Sequence, residues 1–287
     1  MYSEKIIKRI EEEYRKFQGE MDFMNILRLY NPLIAKGNPY VQEGLIRRLT
    51  ILCRCIRNIY RIMPIPTQER LPIGELEDLA INLQSFIFNI AGVLDNLAWV
   101  AVEEKNIDYG GEKKRRDVSL FKGPVYRSFS IKLQTKISSL ENWYKTYLKA
   151  YRDALAHNIP LYIPSASLSI EDREQHDKLQ HQLNNVYQNV YSGSIEKIEE
   201  IAKESHELHQ QLNALGSLSM QMVYSSPKEP TTSMFFPAQI LCDWMTVKEI
   251  ALALAEELSL KVESIPQEFQ LVEELKKECY KRIWEVN

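Results

Sequence analysis

Apolar residues recur at helical spacing along most of this chain. In residues 3–30, Ile6, Ile7, Ile10, Tyr14 and Phe17 predict a first helix. The stretch Asn31 to Pro39, NPLIAKGNP, predicts a loop from its Pro, Gly and Asn. Over residues 40–62, Leu45, Leu49, Leu52, Ile56, Ile59 and Met63 form one stripe, so a second helix is expected there. A third runs from near Gly74 to about Asn106, and a fourth from about Tyr126 to His157, closed by Asn158 and Pro160. Residues 168–190 and 194–213 predict a polar helical hairpin on the surface, because apolar positions are sparse. SMQMVYSS and TTSMFFPAQ alternate as strands, with PKEP as the turn. DWMTVKEIALALAEELSL and PQEFQLVEELKKECYKRIW predict two final helices, the first capped by Asp243 or Thr246.

The expected architecture is mainly α: a bundle of long antiparallel helices, a polar helical hairpin, and a small C-terminal β-hairpin followed by helices. Residues 1–164 form the core, 165–217 the hairpin, and 218–287 a segment packed as one unit with the core.

Two helices carry unusual polar patterns. The third is apolar around most of its circumference, yet Asp78, Asn82, Ser85, Asn89, Gly92, Asn96 and Glu103 fall on one stripe, with Asp95 beside it. The stripe is either a thin solvated face or one wall of a cleft, because buried amides must find partners. The second helix aligns Arg47, Arg54, Arg57 and Arg61, with Arg48 nearby. That face either tracks phosphates or pairs with Glu11, Glu12 and Glu13. The basic run Lys113 to Arg116 has the same two readings.

The chain has 287 residues, 45% hydrophobic and 26% charged, with a net charge of −3, so it is no bulk polycation. The charged N-terminus predicts no secretory signal. The densest apolar run, Ile87 to Val102, contains Asp95, so no membrane span is expected. Four cysteines make no disulfide framework in a chain this long, and a cytoplasmic location is expected. His206 and His209 lie three apart, which allows a shared metal or plain surface polarity. HExxH, Walker A, G-x-S-x-G and G-x-G-x-x-G are all absent. No cofactor or metal is expected.

The remaining chemistry lies at the end of the fourth helix, in NWYKTYLKAYRDALAHNIPLYIP. Arg152 and His157 are five residues apart. An ideal helix separates them by about 140° around its axis, so they do not share one face. Either they are a helix-end pair, His157 serving the last carbonyls, or they meet at one ligand through a relaxed helix end or a second copy.

Arg152-Asp153-x-x-x-His157 resembles the signature of the HEPN superfamily (higher eukaryotes and prokaryotes nucleotide-binding domains). LDNLAW at Leu94 to Trp99 and FFPAQILCDWMTVKEIA at Phe235 to Ala251 are similar to a branch of bacterial members. The resemblance implies a helical bundle that forms a homodimer around two Arg/His pairs, with RNA or nucleotide as ligand. Active members are metal-independent endoribonucleases that leave a cyclic phosphate. Carried over, His157 is the acid/base group, Arg152 holds the phosphate and Asp153 orients Arg152. Asp95, Asn96 and Asn89 would line the same cleft as binding or orienting groups. Other members are non-catalytic binding or scaffold modules. The tyrosine that some toxin members carry two residues after the His is Ile159 here.

Overall fold

The computed structural model describes residues 4–17, 19–65, 69–188, 195–226 and 229–260. The second of the final helices, and Cys279 within it, lie outside these residues. The described residues are mainly helical with one small antiparallel sheet, and the chain forms two compact units.

The first unit comprises Met1–Pro66, Glu77–Tyr162 and Gln221–Asn287. Its N-terminal segment is two helices, α1 (Glu4–Arg15) and α2 (Gly19–Ala35), where the sequence predicted one. The break has a packing cause: Phe17 leaves the helical path and sets its ring edge-on to Trp244, centroids 5.9 Å apart. α2 also runs through Pro32, into the predicted loop. Pro32 is exposed, so its missing N–H falls on the solvent side. Gly37 supplies the left-handed turn (φ 77°) that ends the segment. The Asn38 side chain then accepts from the Tyr40 and Val41 amides and starts the next helix.

A π-helical stretch, Tyr40–Leu45, leads into α3 (Ile46–Ile62), whose predicted apolar stripe is buried. α4 (Ile73–Lys105) falls within one residue of its predicted ends. By length and composition α4 could cross a membrane, but most of its apolar surface is enclosed by protein. The side-chain partners Arg48–Asn96, Cys55–Ser85 and Asn58–Asn82 run in opposite order on α3 and α4, which makes the pair antiparallel.

The predicted fourth helix is not continuous. It is divided into α5 (Gly123–Arg127), α6 (Ile131–Ser139), a π-helical stretch Trp143–Leu148, and α7 (Lys149–His157). Serines rather than Gly or Pro cause the first break. Ser128 Oγ bonds back to the Val125 carbonyl, and Ser130 caps α6 by accepting from the Leu133 amide. After α7 the chain turns extended at Asn158. Tyr162 exchanges two backbone hydrogen bonds with Val223, of 3.2 and 2.8 Å.

Val223 lies in β1 (Gln221–Ser226), which pairs antiparallel with β2 (Glu229–Phe235) in the register Gln221↔Phe235 to Tyr224↔Thr232. α10 (Phe236–Glu257) begins directly after β2, seven residues before the predicted start. Pro237 in its first turn needs no N–H partner and has the right φ in advance. Asp243 and Thr246 are therefore fully enclosed mid-helix residues, not caps. α10 packs against α1, α2, α3 and α6. Trp244 and Ile240 are sealed within this core, and the Tyr30 and Tyr60 hydroxyls donate to α10 carbonyls at 2.8 and 2.7 Å. Cys53, Cys55 and Cys242 are buried and unbridged, and burial pushes the Cys53 thiol up to about 12.

The second unit comprises Thr67–Leu76 and Ile163–Met220. It holds the helical hairpin α8 (Ile170–Gln188) and α9 (Ile195–Ala214). Ser169 and Asp172 make a reciprocal capping box at the start of α8. The hairpin is not a polar surface pair throughout. Leu179, Leu183 and Val186 form a buried seam with Leu208, Leu212 and Leu215, so a few apolar residues at helical spacing suffice for two facing helices. Arg70 closes the end of α9 by donating to the Leu212 and Leu215 carbonyls, at 2.9 and 3.2 Å.

Candidate functional site

The middle of the polar stripe of α4, Asn82 to Asn96, is a seam against α3, whereas Asp78 and Glu103 at its ends are exposed. Arg48 reaches across and donates from Nε to Asn96 Oδ1 (3.0 Å) and from Nη1 to Asn89 Oδ1 (3.3 Å). Two glycines make room. A Cβ at Gly92 would lie 2.3 Å from the Arg48 guanidinium carbon, and one at Gly44 would lie 2.6 Å from the Asn96 amide nitrogen. Asn89 and Asn82 spend their own N–H groups on the Ser85 and Asp78 carbonyls, one turn back on α4. Asn89 and Asn96 therefore hold Arg48, and their oxygens are already engaged.

Asp95 lies beside this seam and differs from it. Its side chain is open to solvent, yet the surrounding protein raises its carboxyl above the ordinary aspartate value. Loss of water around it outweighs the opposing pull of Arg152 and Arg48. Arg152, from α7, faces it. Tyr144 belongs to the same group, half-buried in the π-helical stretch and stacked on Phe121 at 4.1 Å with the rings 3° from parallel. Burial first, and then the Asp95 charge, raise the Tyr144 phenol, against the pull of Arg152 and a hydrogen bond with Ser119.

Asp153 sits between two cations. Its Oδ1 is 3.2 Å from Arg152 Nε and its Oδ2 is 2.6 Å from Lys149 Nζ. His157 is the exposed last residue of α7. No hydrogen bond or ion pair joins it to Arg152. The structure thus brings Arg152, Asp153, Asp95, Tyr144 and Arg48 together, whereas Asn89 and Asn96 act through Arg48. Tyr144 and Phe121 had no signal in the sequence beyond aromatic content, and Ser119 had none. Arg48 had one, a long cation one turn after Gly44 and opposite Gly92.

Part of the other charged faces is paired within the protein. Arg47 pairs with Glu43 and Arg57 with Glu20, not with Glu11, Glu12 or Glu13. Glu11 and Glu13 pair within their own segment, with Arg15 and Lys16. His209 bonds the Tyr187 hydroxyl (2.9 Å), His206 bonds Gln210 (2.9 Å) and His181 bonds Asn185 (3.1 Å). Among the described residues, no three His, Cys, Asp or Glu side chains gather as a metal-ligand group.

The raised Asp95 carboxyl has a measurable consequence. The folded chain holds that proton more tightly than the unfolded chain does. The associated stability is complete below the unfolded value, about 3.9, and is lost as pH rises through the folded value. Asp95→Asn stays neutral, so it is expected to melt at a higher temperature than wild type at pH 7, with the gap narrowing toward pH 4. Thermal melts across that range check it. A wild type that is the more stable at pH 7 would contradict it.

Comparisons with family models, with curated proteins and with solved structures return no match to this chain.

Proposed function

We propose that the protein is a metal-independent endoribonuclease of the HEPN type, acting at a cleft completed by a second copy of the chain. The observation that carries this reading is the meeting of Arg152 with Asp95 and Tyr144, on the same helix as an exposed His157; this group is read as the floor of the RNA-binding recess. Arg152 grips the phosphate with a charged fork, and Asp153 steadies its Nε. The ribose 2′-oxygen attacks the adjacent phosphorus and the bond to the 5′-oxygen breaks. The 2′-hydroxyl proton passes to one imidazole, and an imidazolium gives a proton to the departing 5′-oxygen. The products are a 2′,3′-cyclic phosphate and a free 5′-hydroxyl. Histidine suits both transfers because imidazole exchanges protons near neutral pH.

A dimer supplies two imidazoles, and the surface beside the motif suits one. Ile81 and Phe88 on α4 are 63% and 40% exposed, and Ile159 and Tyr162 are 44% and 48% exposed. Gln84 lies between the α4 pair in sequence and donates to the Leu161 carbonyl at 2.9 Å, which draws all four into one neighbourhood. Exposed apolar side chains gathered beside a site are typical of an interface.

The test is incubation of the purified protein with RNA in EDTA. Cleavage that leaves cyclic-phosphate ends, with a specific activity that rises with protein concentration as dimers form, is expected. A monomeric mass by light scattering at micromolar concentration would count against the shared cleft.

One observation favours a second reading, a non-catalytic binding module. Arg152 and Lys149 already converge on Asp153, and Arg48 lies near, so an anion can be held without any chemistry. That module predicts thermal stabilisation by nucleotides or RNA with no turnover.

A further inference from the structure

The basic run Lys113–Arg116 forms a single 3₁₀ turn, Glu112–Asp117, with all four cations exposed. Its place on the fold is set by Arg115, whose guanidinium carbon lies 4.9 Å from the centre of the Trp99 ring. Trp99 is itself held by Tyr40, stacked at 5.3 Å, and by Tyr109, edge-on at 5.1 Å. Trp99 is four residues after Asp95 on α4, so the two lie on one face about 6 Å apart along the axis. The turn is thus fixed one helical step from the recess.

The acids around it are occupied. Glu112 faces Arg115 (3.4 Å) and Tyr109 (3.5 Å), Asp117 faces Lys122 (3.4 Å), and Asp108 accepts from the Gly110 amide (2.8 Å). Among the described residues, Lys113, Lys114 and Arg116 have no ion-pair partner. Tyr40 and Tyr109 are half-buried, so part of each ring remains open beside these cations. Unpaired cations next to partly open aromatic rings are what a single strand requires, phosphates on the charges and bases on the rings. A lipid surface is the poorer fit, because the turn offers no apolar side chain to insert.

We infer that the Lys113–Arg116 turn is a track for single-stranded RNA leading to the Asp95–Arg152 recess. The recess as destination rests on the ribonuclease reading, whereas the track is read by binding alone. The probe is a short fluorescent oligoribonucleotide with 2′-O-methyl groups, which cannot be cleaved. Its anisotropy is titrated with wild type and with the triple variant Lys113→Gln, Lys114→Gln, Arg116→Gln over a series of KCl concentrations. Each phosphate contact to a single strand contributes about 0.7 to the slope of log K against log salt, so losing three flattens the slope by about 2 and weakens low-salt binding by about 100-fold. An unchanged slope in the triple variant overturns the inference. So does a wild type that binds phosphatidylserine vesicles but not the oligonucleotide. The expected slope change in a protein that cleaves no RNA supports the track and removes the ribonuclease.

Discussion

His157→Ala is expected to lower RNA cleavage by about 10²–10⁴-fold, the usual contribution of a positioned acid or base. The loss should fall on kcat, with KM nearly unchanged, because the imidazole moves protons and does not grip the ground-state phosphate. Arg152→Ala should lower kcat and raise KM together, and Arg152→Lys should recover part of the loss, since lysine keeps the charge but not the fork. These substitutions separate activity from folding. His157 is exposed at a helix end, so its removal should shift stability by no more than about 0.5 kcal/mol. Arg152 is partly exposed and pairs with its neighbour Asp153, a kind of pair worth about 1 kcal/mol or less. Single-turnover cleavage with melting curves for each variant decides the matter. Equal cleavage by wild type and both alanine variants would end the ribonuclease proposal.

The largest stability effect is expected at Asp243. This carboxylate is completely enclosed, with Oδ1 accepting from Trp143 Nε1 (2.8 Å) and Gln239 Nε2 (2.7 Å) and Oδ2 from the Tyr147 hydroxyl (2.7 Å). Asp243→Leu removes both acceptor oxygens at once and leaves the three donors buried. Each stranded donor costs about 1–3 kcal/mol, and breaking such a network costs about 3–5 kcal/mol in all. Urea unfolding should show the loss as a lower midpoint with an unchanged slope. A shift below about 1 kcal/mol would mean that the network is dispensable. Asp243→Asn keeps one acceptor and the shape, so it should lose less and remain folded. It should still reduce cleavage, because Trp143 and Tyr147 belong to the π-helical stretch that runs directly into α7. Asp243 is therefore expected to act as a positioning residue, setting where Arg152 points by anchoring its helix to α10.

Some of this could be read from the chain alone. The ends of α4, the hairpin of α8 and α9, and the two paired strands follow from local periodicity, which neighbouring residues impose on one another. The places of Arg152 and His157 on one helix were legible too, as were the polar positions along α4. Where the reading departed from the structure, one distant partner and two local effects intervened. Phe17 leaves its helix for Trp244, more than two hundred residues away. Pro32 stays inside α2 because its missing donor falls on the solvent side. The long helix expected before His157 is broken by serine hydroxyls that compete for backbone groups.

The site shows the same division. Sequence by itself determined a mainly helical chain, an Arg and a His too far apart around one helix to share a face, and a row of amides on an otherwise apolar helix. It left open whether those amides met water. Tertiary structure decided that, by laying Arg48 across Gly92 onto Asn89 and Asn96. It also brought Asp95 of α4 to Arg152 of α7 and Tyr144 of the π-helical stretch, and pinned the Lys113–Arg116 turn to Trp99. The reason is physical. Helical periodicity is a local property of adjacent residues, whereas the charge and solvation of a recess depend on which surfaces are packed together, and that is set by the three-dimensional fold.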